Sequence, residues 1–132
     1  MMIGIVLVSH SHTLSQGLQE MAQQVVQDRV KVAAAGGLDN VTIGTNAERI
    51  AEAIRQVYSP DGVLVLLDLS SALLSAQMAI EMLPLEWQPQ IKLSGAPLVE
   101  GAMMAAIEAS LGRNLEAVNS AAEAARFIEK II

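Results

Sequence analysis

The chain reads as α/β: an open, mostly parallel, doubly wound sheet of four strands, with room for an added edge strand and with helices on both faces. Three observations carry that reading. Residues 3–8 and 63–67 are continuous apolar runs, branched aliphatic apart from Gly4, the pattern of strands covered on both faces rather than one. Between such runs lie stretches whose apolar residues return every three or four positions, the helical period. Strands and helices alternate as β-α-β-α-β-α-β-α-α, and helical crossovers return each strand parallel to the last.

The elements follow in order. Residues 3–8 form the first strand, which stops at Ser9-His10-Ser11-His12-Thr13. Thr13 and Gln16 have capping-box spacing, so a helix starts near residue 13 or 14, with Leu14, Leu18, Met21 and Val25 on one face. Residues 30–35 make a weaker second strand, closed by Gly36-Gly37. The loop 38–44 leads to Thr45-Asn46-Ala47-Glu48, a second capping box, and Ala47, Ile50, Ala51, Ile54 and Val57 mark the helix behind it. Ser59-Pro60-Asp61-Gly62 is a turn. Residues 63–67 form the third strand, which ends at Asp68; Ser70 or Ser71 then caps a helix running to about Leu83. Trp87 and its flanking prolines lie in a connection to a short fourth strand at 91–94. Pro97 suits the first turn of a helix reaching Leu111. Gly112 ends that helix, and Asn114 starts a last one with Leu115, Val118, Ala122 and Ala125 inward. No repeat, low-complexity stretch or linker interrupts the pattern, so residues 1–132 are expected to form one domain.

Composition narrows the function. Eight Lys and Arg against fourteen Asp and Glu give a net charge of −6. That balance argues against duplex nucleic acid or an anionic membrane as partner, since both reward clustered cations. There is no cysteine, which excludes disulfides, thiol nucleophiles and Cys-rich zinc sites. Hydrophobic residues reach 52% against 17% charged, an oily balance that points to apolar surface buried against a second copy. The apolar runs are far shorter than the ~20 residues that span a bilayer. The amino terminus lacks a basic region and a cleavage-like pattern, so the expected location is the cytoplasm.

In open α/β sheets, ligands gather beyond the carboxyl ends of the strands, where helix amino termini also point. Three polar clusters fall there: Ser9 to Thr13, Gly36-Gly37 with Asp39, and Asp68 to Ser71. Their convergence in space is the main expectation. His10 follows a buried strand directly, and with no thiol present its imidazole is the natural nucleophile near neutral pH. A phosphoryl group on it would face the first-turn N–H groups of the next helix. Asp68 could accept the Nδ1–H of His10, orient the ring, leave the Nε2 lone pair exposed and stabilise positive charge on the ring. Plainer readings stand beside these. His10 could be a cap or packing group, Asp68 a turn residue, His12 a solvated first-turn residue, and Gly36-Gly37 a strand terminator. Met78, Met82, Met103 and Met104 read as core or interface filler.

Other chemistries fail. The chain has no phosphate-loop or dinucleotide-binding glycine pattern, and its two histidines with Asp68 are too few for a metallohydrolase, so no metal is expected. A receiver domain would want an acidic pair where Ser9-His10 stands. None of the eight basic residues is expected beside the predicted site, which suits the carriage of one phosphoryl group better than the grip of a whole nucleotide.

Five segments in order complete the reading: Val6-Leu7-Val8-Ser9-His10-Ser11, Gly36-Gly37-Leu38-Asp39, Ile43-Gly44-Thr45, Asp68-Leu69-Ser70-Ser71 and Ala96-Pro97-Leu98-Val99-Glu100-Gly101. Over nearly its whole length the chain resembles the DhaM family, the phosphotransferase subunits of phosphoenolpyruvate-dependent dihydroxyacetone kinases, related to the mannose-type enzyme IIA domains. The resemblance implies an enzyme IIA-mannose-like fold and phosphate carried on His10 rather than His12. It implies phospho-HPr as donor, charged through enzyme I, and ADP held with Mg²⁺ in the DhaL subunit as acceptor. It implies DhaK as the subunit holding dihydroxyacetone, no cofactor bound directly by this chain, an aspartate at Asp68 bonded to the histidine, and a homodimer. Ser9, Ser11, His12, Gly37 and Ser71 stand as the candidate phosphate contacts. Sugar-transport relatives carry a Gly-Gly-Ser type stretch after the aspartate, where this chain has Leu69-Ser70-Ser71; that favours the dihydroxyacetone branch. Some family members continue into HPr-like and enzyme I-like domains, functions expected here from separate proteins. Two alternatives remain at this point: an enzyme IIA domain of a mannose-type sugar transporter, and a non-catalytic dimeric module that holds a small anion.

Overall fold

A computed structural model describes residues 2–132. Four strands form one sheet: β1 (Gly4–Ser9), β2 (Val32–Gly36), β3 (Val63–Leu67) and β4 (Ile91–Leu93). Five α-helices accompany them: α1 (His12–Val26), α2 (Ala47–Val57), α3 (Leu73–Glu81), α4 (Leu98–Ser110) and α5 (Leu115–Ala124). Every strand pairing is parallel and the order is β2-β1-β3-β4, with no edge strand added among the described residues.

Alternation along β1 explains the two layers. Ile3, Ile5 and Leu7 point to one face and join Leu64 and Leu66 under α1, α4 and α5. Val6 and Val8 point to the other and join Val63 and Val65 under α2 and α3. Both faces are dry, which is why these strands read as continuous apolar runs. Alanines 102, 105, 106 and 109 line the buried side of α4 and let it lie close on the sheet.

The order also creates the site. The chain leaves β1 for β2 on one side and later returns to place β3 on the other. The switch point therefore falls between β1 and β3, where their carboxyl ends open a crevice. Val8 pairs with Leu67, and the Asp68 N–H donates to the Val8 carbonyl at 3.0 Å. The residues just beyond each strand, His10 and Asp68, are thereby neighbours.

Several helix starts differ from expectation. Ser11, not Thr13, caps α1: it is extended, with φ −114°, and its Oγ accepts the Leu14 N–H at 3.2 Å. Asn46, not Thr45, caps α2, its Oδ1 accepting the N–H groups of Glu48 and Arg49. Neither Ser70 nor Ser71 caps α3, because Ser70–Ala72 form a 3₁₀ turn with no side-chain cap. Each polar run offered more than one residue type that can cap, and residue type alone does not choose among them. Asn114 does cap α5, accepting the Ala117 N–H at 2.9 Å.

The face of α1 differs too. Ser15, Leu18, Ala22 and Val26 are buried, whereas Leu14, Met21 and Val25 are each 45–51% exposed. The close approach of the end of β2 explains it. A Cβ added at Gly36 would stand 2.3 Å from Ser15 Oγ, so only a small residue on α1 fits there. Hydropathy cannot register that constraint. No described helix is long and apolar enough to cross a membrane.

Candidate functional site

The site is built around one carboxylate. Asp68 Oδ2 accepts the backbone N–H of His10 at 2.9 Å and the Ser9 hydroxyl at 3.1 Å. Its Oδ1 accepts the Leu69 N–H at 2.8 Å and stands 3.0 Å from His10 Nδ1. Ser9 Oγ in turn accepts the Ser11 N–H at 3.0 Å, which ties the turn after β1 to the same network. Burial pushes the Asp68 carboxyl up, but hydrogen bonds from the His10 N–H, the His10 ring and the Ser9 hydroxyl outweigh it, and the group lies below the ordinary carboxylate value.

This geometry assigns the histidine tautomer. An ionised carboxylate only accepts, so the proton of the neutral ring sits on Nδ1 and the lone pair on Nε2. The His10 side chain is 22% exposed, held yet reachable. Nε2 lies 3.0 Å from Ser71 Oγ, whose hydroxyl can donate to that lone pair. The ring thus has an acceptor behind it and a donor in front.

The remaining predicted residues divide. Ser9 and Ser71 join His10 and Asp68 directly, and Ser11 joins through its N–H and caps α1. Gly37 is close in space but its N–H donates to the Ser9 carbonyl at 3.2 Å, so that group serves the fold. Its φ is +80°, a conformation that favours glycine. Asp39 turns inward on its own loop, accepting the Val41 and Thr42 N–H groups at 2.9 and 2.7 Å. His12 faces away from the carboxylate network toward α2: its Nδ1 accepts from Arg49 Nη2 at 3.3 Å, and the same Nη2 donates to Asn40 Oδ1 at 2.8 Å. The expectation that no basic residue stands beside the predicted cluster therefore fails at Arg49. Contact across 37 positions leaves no local signal.

Thr45 and Ser75 are also neighbours that sequence reasoning did not join. Their hydroxyl oxygens lie 2.7 Å apart, linking the loop before α2 to α3. A cleft of about 400 Å³ opens beside Asp68, lined with Leu69, Leu73, Leu93, Ser94 and Ala96. Its lining carries no cation, so it offers no charged grip to a polyphosphate.

Comparison with known proteins accords with this arrangement. The family model described as PTS system fructose IIA component, EIIA-man, matches residues 4–119. A protein of Escherichia coli strain K12, named PEP-dependent dihydroxyacetone kinase, phosphoryl donor subunit DhaM, is 42% identical over 120 residues. Those residues are 89% of this chain but 25% of that protein, so the chain spans about a quarter of its length. A Listeria innocua protein, the DhaM subunit of dihydroxyacetone kinase 2, is 40% identical over 89% of this chain and 94% of its own. A Lactococcus lactis phosphotransferase subunit DhaM is 33% identical over 93% and 95% of the two chains. Among solved structures, the unknown-function protein EF1359 superposes with a TM-score of 0.82 at 33% identity, covering 93% of this chain and 94% of that one.

Proposed function

This chain belongs to the EIIA-man family of phosphotransferase-system IIA components, and from that premise we propose that it is a DhaM-type phosphoryl donor subunit of a PEP-dependent dihydroxyacetone kinase, with His10 as the carrier. The single observation that carries the assignment to His10 is its ring geometry: Nδ1 against Asp68, Nε2 free of any carboxylate and reachable.

The Nε2 lone pair of His10 attacks the phosphorus of an incoming phosphohistidine. A new N–P bond forms as the donor's N–P bond breaks, and the donor imidazole leaves with that electron pair. His10 now holds Nδ1–H and a phosphorylated Nε2, a cationic ring whose charge Asp68 stabilises. The Ser71 hydroxyl turns from the consumed lone pair to a phosphoryl oxygen. In the return step a β-phosphate oxygen of ADP attacks phosphorus, the N–P bond breaks, and the Nε2 lone pair is restored. Ser9 and Ser11 act by holding Asp68 and the turn. His12 and Gly37 are contacts of lesser weight, since Arg49 and the Ser9 carbonyl occupy their near groups.

The proposed partners are those that the resemblance to DhaM subunits implies. The cleft beside Asp68 carries no cation in its lining and Arg49 is engaged with His12 and Asn40, which supports ADP and its Mg²⁺ being held by another subunit, DhaL, with DhaK presenting dihydroxyacetone and no cofactor bound directly by this chain. The donor is phospho-HPr. A relay fed by phosphoenolpyruvate and ADP belongs in the cytoplasm. The exposed row Leu14, Met21 and Val25 on α1 supports a homodimer, which sedimentation of wild type against Met21→Glu tests. The relatives' names favour this reading over a sugar-transport domain.

Labelled phosphoenolpyruvate with enzyme I and HPr tests the assignment. Wild type and His12→Ala take up acid-labile, base-stable phosphate and His10→Ala takes none. Label on the His10→Ala chain sinks it.

A further inference from the structure

We propose that the Thr45–Ser75 hydroxyl pair is a latch that seats Ser71 against the His10 ring, making Thr45 a positioning residue for phosphoryl transfer. The inference rests on His10 carrying the group, as proposed above. Thr45 has no capping duty, since Asn46 caps α2. Its hydroxyl instead meets Ser75 at 2.7 Å, a side-chain bond across 30 positions, with both residues half-buried.

Two further contacts give that bond its consequence. On one side, Thr45 follows Gly44, whose N–H donates to the His10 carbonyl at 2.9 Å. On the other, Ser75 lies about one turn beyond Ser71, whose Oγ is 3.0 Å from His10 Nε2. The latch thus closes a ring: the His10 main chain, the loop through Gly44 and Thr45, then Ser75, Ser71 and back to the His10 side chain. Ser71 itself sits in a 3₁₀ turn with no side-chain cap, exposed, with only Ala72 anchored inward. Among the described residues, no other side-chain hydrogen bond ties that turn and the start of α3 to the loop across the site. Without the latch the turn can drift from the ring, and a misplacement of about 1 Å costs up to ~10²-fold in rate.

The test uses the full chain, labelled at His10 and discharged to its acceptor in single turnovers. Thr45→Val keeps the shape and removes the hydroxyl, Thr45→Ser keeps the hydroxyl, and Ser75→Ala removes the partner. Thr45→Val and Ser75→Ala are each expected to lower the limiting rate by about 10-fold. Partner affinity and thermal midpoint should stay near wild type, and the ³¹P resonance of phospho-His10 should move. Thr45→Ser restores both rate and resonance. The double variant is no slower than either single one, and Thr45→Val adds nothing to Ser71→Ala. Full-speed transfer by Thr45→Val, additive losses, or failure of Thr45→Ser to rescue overturns the latch while leaving the carrier role intact. A wild type that takes no label at His10 overturns both.

Discussion

Asp68 holds His10 twice, by its main chain and by its ring: Oδ2 accepts the His10 backbone N–H at 2.9 Å and Oδ1 stands 3.0 Å from the ring Nδ1. Position and tautomer of the imidazole are therefore set by one group from a neighbouring strand. The ring needs no reorganisation before Nε2 meets an electrophile, which is the form electrostatic preorganisation takes here.

Asp68→Asn keeps the shape but replaces an obligate acceptor by a group that also donates. The ring loses its enforced Nδ1–H tautomer and the carboxylate that stabilises its charged form. We expect label still to appear only on His10, at a rate lower by about 10²–10⁴-fold. Rapid-quench transfer from phospho-HPr measures it, and a wild-type rate would remove the orienting role.

The same carboxylate makes stability depend on pH with a definite sign. Its folded value lies below the ordinary 3.8, so the native state binds its proton less readily than the unfolded chain. Its contribution is full above that ordinary value and is lost as pH falls through the folded one. The stability gap between wild type and Asp68→Asn should therefore narrow on going from about pH 6 to about pH 2.5 in urea titrations. A gap that stays constant would mean the hydrogen bonds do not favour the ionised form.

The observed caps separate from the expected ones by mutation. Asn46→Ala and Ser11→Ala each leave first-turn N–H groups without a side-chain acceptor and should cost about 0.5–2 kcal/mol. Thr13→Ala, at a position outside the cap, should change stability by less than about 0.5 kcal/mol. Denaturant midpoints compare them, and equal losses at Thr13 and Ser11 would refute the placement of the α1 cap.

Gly37 cannot carry a side chain without cost. Its φ is +80°, and a Cβ would meet the Asp39 carbonyl oxygen at 2.3 Å. Gly37→Ala should destabilise by about 1–3 kcal/mol. It should also disturb Ser9, whose carbonyl accepts the Gly37 N–H, so the His10 imidazole resonances in an NMR spectrum should shift. An unshifted spectrum at wild-type stability would show that the loop tolerates an ordinary residue.

The sequence by itself determined which segments are strands and helices, because burial on both faces leaves continuous apolar runs and burial on one side of a helix leaves a period near 3.6. It also determined that His10 and Asp68 stand at strand ends, since Ser9-His10 and Asp68 interrupt such runs, and that Asn114 starts α5, where only one capping residue was on offer. The tertiary structure decided the rest. The order β2-β1-β3-β4 brings β1 beside β3, and with it a carboxylate 58 positions away against the imidazole. It decided that Ser71 faces Nε2, that Arg49 reaches His12, that Thr45 joins Ser75, and that α1 turns Met21 outward. Contacts between distant positions follow strand order and the room left where elements cross, and local periodicity encodes neither.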